Sequence, residues 1–82
     1  MGMSLAEYVD TSLDRIIDVT PGMRQILDYL YEVWNARDIT VKEFKEQNGL
    51  SEDAGIYTIY EYMFDYALDK DVDKAEALGM RK

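Results

Sequence analysis

The sequence predicts an all-helical bundle of four main helices with a short fifth, built on a helix-turn-helix-like tri-helical core. Two observations predict it. Ser4, Thr20, Thr40 and Ser51 each stand just before a stretch in which apolar residues recur at three- and four-residue spacing. Stop signals punctuate those stretches, with Pro21 at one boundary, Asn48-Gly49 at another and Gly79 near the end. At 82 residues the chain is one domain, residues 1–82. A chain of this size buries only about 60% of its unfolded surface, so its core is thin.

The first helix is expected from about Ser4 to Asp18. Ser4 and Glu7 have capping-box spacing, and Leu5, Val9, Leu13, Ile16 and Ile17 form its apolar face with Tyr8 on the flank. Thr20-Pro21 opens the second helix, because Thr caps and Pro is preset for the first helical position. Met23, Ile26, Leu27, Leu30, Val33 and Trp34 make its stripe, which fades near Arg37. Thr40 and Glu43 form a second capping box, with Ile39 and Phe44 placed as a hydrophobic staple. That third helix is short, since Asn48-Gly49 reads as a left-handed stop and Leu50 can fold back on Phe44.

Ser51 is expected to cap the fourth helix directly, with Glu52 and Asp53 favoured in its first turn by the helix dipole. Over 52–69 the apolar face centres on Ile56, Ile59, Tyr60, Met63, Phe64 and Ala67. Tyr62 and Tyr66 widen one flank, and Tyr57 and Leu68 the other. Only Thr58, Glu61, Asp65 and Asp69 make a fully polar strip. A helix apolar over so much of its circumference is normally covered on more than one side. The last helix is weak: Asp73 and Glu76 can cap it, Val72, Ala75 and Leu78 can dock it, and Gly79 can end it.

Composition narrows the chemistry. There is no Cys and no His, which removes thiol redox chemistry, thiolate or imidazole zinc sites and the usual base at neutral pH. The spacing Asp69-x-Asp71-x-Asp73 opens like an EF-hand loop, but Lys74 and Met80 occupy the positions of the turn glycine and the bidentate glutamate. No metal or cofactor is expected there, and the segment reads as an acidic linker. Neither a glycine-rich phosphate loop nor a nucleophile with a plausible base is present. The chain is read as a non-enzyme.

No run has the length of a membrane helix, and no signal peptide opens the chain. Ala6 stands where N-myristoylation of Gly2 would need Ser or Thr. The expected compartment is the cytoplasm.

Thr40 to Leu68 resembles a helix-turn-helix DNA-binding unit in its succession of a short helix, Asn48-Gly49-Leu50-Ser51 and a longer helix. The resemblance implies a three-helix core completed by the second helix. In register it departs from the family: Lys45 stands where a small residue is usual, and Ile56 and Ile59 fall one residue late. Charge separates the shape from the activity. From Glu46 to Asp69 there is no Lys or Arg, so a recognition helix here lacks the cations that neutralise phosphates.

The net charge of −8, from 17 acidic and 9 basic residues, repels nucleic acid and anionic lipid and attracts basic surfaces. Tyr62 and Tyr66 beside Glu61, Asp65 and Asp69 have the composition of an interface, and the same rings would also complete a core. Asp10, Asp14 and Asp18 form a second acidic row, first a solvated face and secondarily a docking ridge. The expected function is non-catalytic binding to a protein with a basic surface, of inhibitor or adaptor kind, with no direct nucleic acid contact and no membrane insertion. Small acidic inhibitors encoded by phages and mobile elements are similar in general character, an analogy of class. The alternatives are a helix-turn-helix-derived transcription regulator and a structural homodimer joined through helix 52–69.

Overall fold

The computed structural model describes residues 2–80; Met1 and the Arg81-Lys82 pair lie outside that range. Five helices follow in order: α1 (Leu5–Ile16), α2 (Pro21–Trp34), α3 (Val41–Asn48), α4 (Ile56–Lys70) and α5 (Val72–Ala77). Together they form an all-α bundle. Helix α4 is its axis, packed against α1, α2 and α5, while α1 also packs on α3. Leu5, Val9, Leu27, Leu30, Phe44, Ile59, Met63 and Ala67 are buried in one core.

The starts of α1, α2 and α3 are capped as their sequences require. Ser4 Oγ accepts from the Glu7 N–H, Thr20 Oγ1 from the Met23 N–H and Thr40 Oγ1 from the Glu43 N–H. At Thr40 the box is reciprocal, because Glu43 Oε1 accepts from the Thr40 N–H at 3.2 Å. The first turn of α1 is also held from outside. Its Leu5 and Ala6 N–H groups donate to the Ile39 and Ala36 carbonyls at 2.9 Å, and the Val41 N–H donates to the Met3 carbonyl. The α2–α3 connection thus supplies acceptors for donors that a helix start leaves orphaned.

Three helices end by one device. Asn35, Gly49 and Gly79 take left-handed conformations, with φ of 55°, 67° and 79°. Each turns the next N–H back onto the last helical turn: Ala36 to the Tyr31 carbonyl, Leu50 to Lys45 and Met80 to Ala75, each at 2.9 Å. The apolar side chain so returned, Ala36, Leu50 or Met80, then joins or packs on the core.

Several boundaries differ from the sequence expectation. Helix α1 stops at Ile16 rather than Asp18, and Ile17 is extended at φ −141°. Thr20 must be extended to cap α2, and the residue before a proline is kept out of the helical region, so the chain leaves the helix early. As a result Ile16 and Ile17 are exposed instead of joining the core. Helix α2 ends at Trp34 because Asn35 adopts the left-handed stop.

Helix α4 begins at Ile56, with Gly55 as its N-cap, and not at Glu52. Ser51 closes a local turn instead: its Oγ accepts from the Asp53 N–H and its carbonyl from the Ala54 N–H. A helix started at Ser51 would carry Gly55 in its first turns, at a cost of about 1 kcal/mol relative to Ala. The succession α2–α3–α4 keeps the helix-turn-helix order, with residues 49–55 as a longer connection than the usual 3–4-residue turn. Helix α5 is capped by Asp71, whose carboxylate accepts from the Lys74 N–H, rather than by Asp73.

The Thr40 box and the buried Phe44 ring set how α3 meets the rest of the bundle. Thr40→Ala is expected to cost about 1 kcal/mol, and Phe44→Ala about 3–5 kcal/mol. Urea midpoints measure both, and equal, negligible shifts would contradict the packing of α3.

Candidate aromatic and acidic docking face

Helix α4 divides into two halves. Ile59, Met63 and Ala67 are fully buried, and Ile56, Tyr60, Phe64 and Leu68 pack half-buried around them. Burial raises the Tyr60 hydroxyl above the usual tyrosine value. Neighbours α1, α2 and α5 therefore cover most of the apolar arc that the sequence leaves open. What remains outward is Tyr57, Thr58, Glu61, Tyr62, Asp65, Tyr66 and Asp69, all exposed. Every expected residue of the primary site lies on this one face.

Tyr62 and Tyr66 serve both as packing and as surface. They are 37% and 47% exposed, yet each ring also rests on Trp34. The Trp34 ring lies 4.5 Å from Tyr66 and 5.8 Å from Tyr62, centroid to centroid. Phe44 closes the cluster from below, edge-on to Trp34 at 5.1 Å and to Tyr62 at 5.9 Å. The Trp34 indole N–H donates to the Met63 carbonyl at 3.2 Å, which fixes the plate against α4. Such tilted and edge-on pairs contribute about 0.5–1.5 kcal/mol each beyond area burial. The exposed edges of Tyr62 and Tyr66 are thereby held in place by packing on Trp34.

Two further groups belong to this face. Tyr57, expected on the far flank of the apolar arc, is 71% exposed. It stands one helical turn before Glu61, which is the spacing that could have assigned it. Lys70 is the second, with Nζ 5.9 Å from the Tyr66 centroid. The acidic strip, cation-free over Glu46–Asp69, thus has a cation at its C-terminal end, where the α4 dipole favours positive charge. Between Thr58, Glu61, Tyr62 and Asp65 the surface dips into a shallow groove.

The second acidic row is divided. Asp10 is half-buried, and its Oδ1 accepts from the Tyr31 hydroxyl at 2.6 Å and from the Arg24 guanidinium at 2.9 Å. Asp10 thus joins α1 to α2. Asp14 is exposed on α1, and Asp18 lies beyond its end, so the three do not continue one ridge. The bond to Asp10 holds Arg24 above its ordinary value. Burial, then the bond to Asp10, push Tyr31 far above the ordinary tyrosine range.

Among the described residues no group of three or more His, Cys, Asp or Glu is arranged to hold a metal ion, and no helix is long and apolar enough to cross a membrane. No protein-family model, curated protein or solved structure matches the chain.

The Asp10–Tyr31 contact carries a pH consequence. Tyr31 titrates higher folded than unfolded, so its stabilisation is complete below about pH 10, the unfolded tyrosine value, and is lost as pH rises beyond it. Tyr31→Phe is expected to cost about 1–2 kcal/mol at neutral pH through the lost bond. It should also reduce the fall of stability above about pH 10, read from urea midpoints measured across that range.

Proposed function

We propose that the chain is a non-catalytic binding module, of inhibitor or adaptor kind, that docks on a basic protein surface through the exposed half of α4. The observation that carries this is the joint placement of Tyr57, Tyr62 and Tyr66 with Glu61, Asp65 and Asp69 on the exposed half of α4, with Tyr62 and Tyr66 backed by Trp34. Exposed rings on a rigid backing give affinity at small ordering cost. Surrounding carboxylates steer a cationic partner and set the salt dependence.

Size bounds the affinity. The 15 residues of α4 span roughly 22 Å at a rise of about 1.5 Å per residue. One face of such a helix supplies less than the ~800 Å² per partner of a standard interface. Binding energy is therefore concentrated in the rings, in the manner of a helix laid into a groove.

A photo-crosslinker at Tyr57 tests this in the native host. Cationic proteins should be captured from Tyr57 and not from a crosslinker at Glu7 on α1; equal capture from both would contradict the reading. With the captured partner, Tyr62→Ala or Tyr66→Ala should weaken binding by about 2 kcal/mol or more. Asp65→Lys should slow association most at low salt. Circular dichroism must show these variants folded, because both rings also pack on Trp34. If the folded variants bind unchanged, the rings are structural only and α4 is not the docking face.

A further inference from the structure

Resting on the docking reading of α4, we propose that its exposed face selects arginine, and that the partner presents an arginine-bearing segment rather than a lysine-rich one. The basis is a repeated pairing. Tyr57 precedes Glu61 by four residues, Tyr62 precedes Asp65 by three, and Tyr66 precedes Asp69 by three. Residues at these spacings are neighbours on a helix surface. Each exposed ring therefore has a carboxylate beside it, three times over the exposed half of α4.

An ammonium group and a guanidinium use such a pair differently. Lysine is a compact, strongly hydrated point charge. Arginine is planar and weakly hydrated, so it lies on the ring while its fork donates to the adjacent carboxylate.

The chain already fills one such pair with an arginine. Asp28 and Tyr31 lie three apart on α2, with the carboxylate first. The Arg37 guanidinium stands over the Tyr31 ring at 5.4 Å from its centroid and donates to Asp28 Oδ1 at 3.3 Å. On α4 the ring comes first and the pairs face outward. Among the described residues only Tyr66 of these rings has a cation above it, Lys70 at 5.9 Å, which an incoming guanidinium would displace. Charge complementarity completes the case, since within α4 itself Lys70 is the single cation against Glu61, Asp65 and Asp69.

The test uses two synthetic helical peptides, one with arginines at four-residue spacing and one with every Arg replaced by Lys. Each is titrated into the isotopically labelled full chain at fixed salt while backbone amides are followed by NMR. Shifts are expected at Tyr57–Asp69, with the arginine peptide binding roughly fivefold tighter or more. Tyr57→Leu, at a ring with no contact to Trp34, should narrow that preference while Asp65→Asn weakens both peptides. Equal affinity for both peptides on this face overturns the arginine preference and leaves the acidic docking face standing. Shifts confined to α1, or no binding of either peptide, also overturn the proposal.

Discussion

Trp34 ends α2 at the point where three helices meet, and its environment fixes both the fold and the outer face of α4. Its indole N–H bonds the Met63 carbonyl, one side of its ring meets Phe44 from α3, and Tyr62 and Tyr66 lie against it from α4. A thin core gains from sharing rings in this way. Aromatics that cannot be fully covered still have packing on one side, and their polar tips stay wet. The same arrangement leaves the outer edges of Tyr62 and Tyr66 exposed while their rings pack on Trp34.

Three cations, Arg24, Arg37 and Lys45, hold helices and connections together. Arg24 is held by Asp10, Arg37 by Asp28, and the Lys45 ammonium donates to the Glu52 carbonyl. These contacts tie α1 to α2, fix the end of α2 and brace the α3–α4 connection. Helix α4 itself carries one cation, Lys70. The exposed half of α4 thus carries Glu61, Asp65 and Asp69 against Lys70. At about 0.15 M salt the screening length is about 8 Å, so attraction to a cationic surface acts close to that face.

Much of the fold is legible in the sequence because its signals are local. The caps at Ser4, Thr20 and Thr40 and the stops at Gly49 and Gly79 are set by residues within one turn. The misplaced boundaries are those where two local signals compete. Ser51 can cap a helix or close a turn, and Gly55 tips the balance toward the turn. Ile16 and Ile17 have the period of a core face, but the approach to Pro21 ends the helix beneath them. The role of Asp10 was hidden for another reason: its partners Arg24 and Tyr31 are remote in sequence, and only packing α1 on α2 joins them. For the α4 face, the wheel identifies which residues share a side. Whether Tyr62 and Tyr66 are core or surface depends on Trp34, and they prove to be both.

The central claim is that Trp34 makes the outward rings of α4 part of the folded structure. A double-mutant cycle on stability between Trp34→Phe and Tyr66→Ala measures this most directly. Contact between the rings predicts a coupling energy of about 0.5–1.5 kcal/mol. Additive effects of the two substitutions, within about 0.3 kcal/mol, would contradict it and leave Tyr66 as a free surface residue.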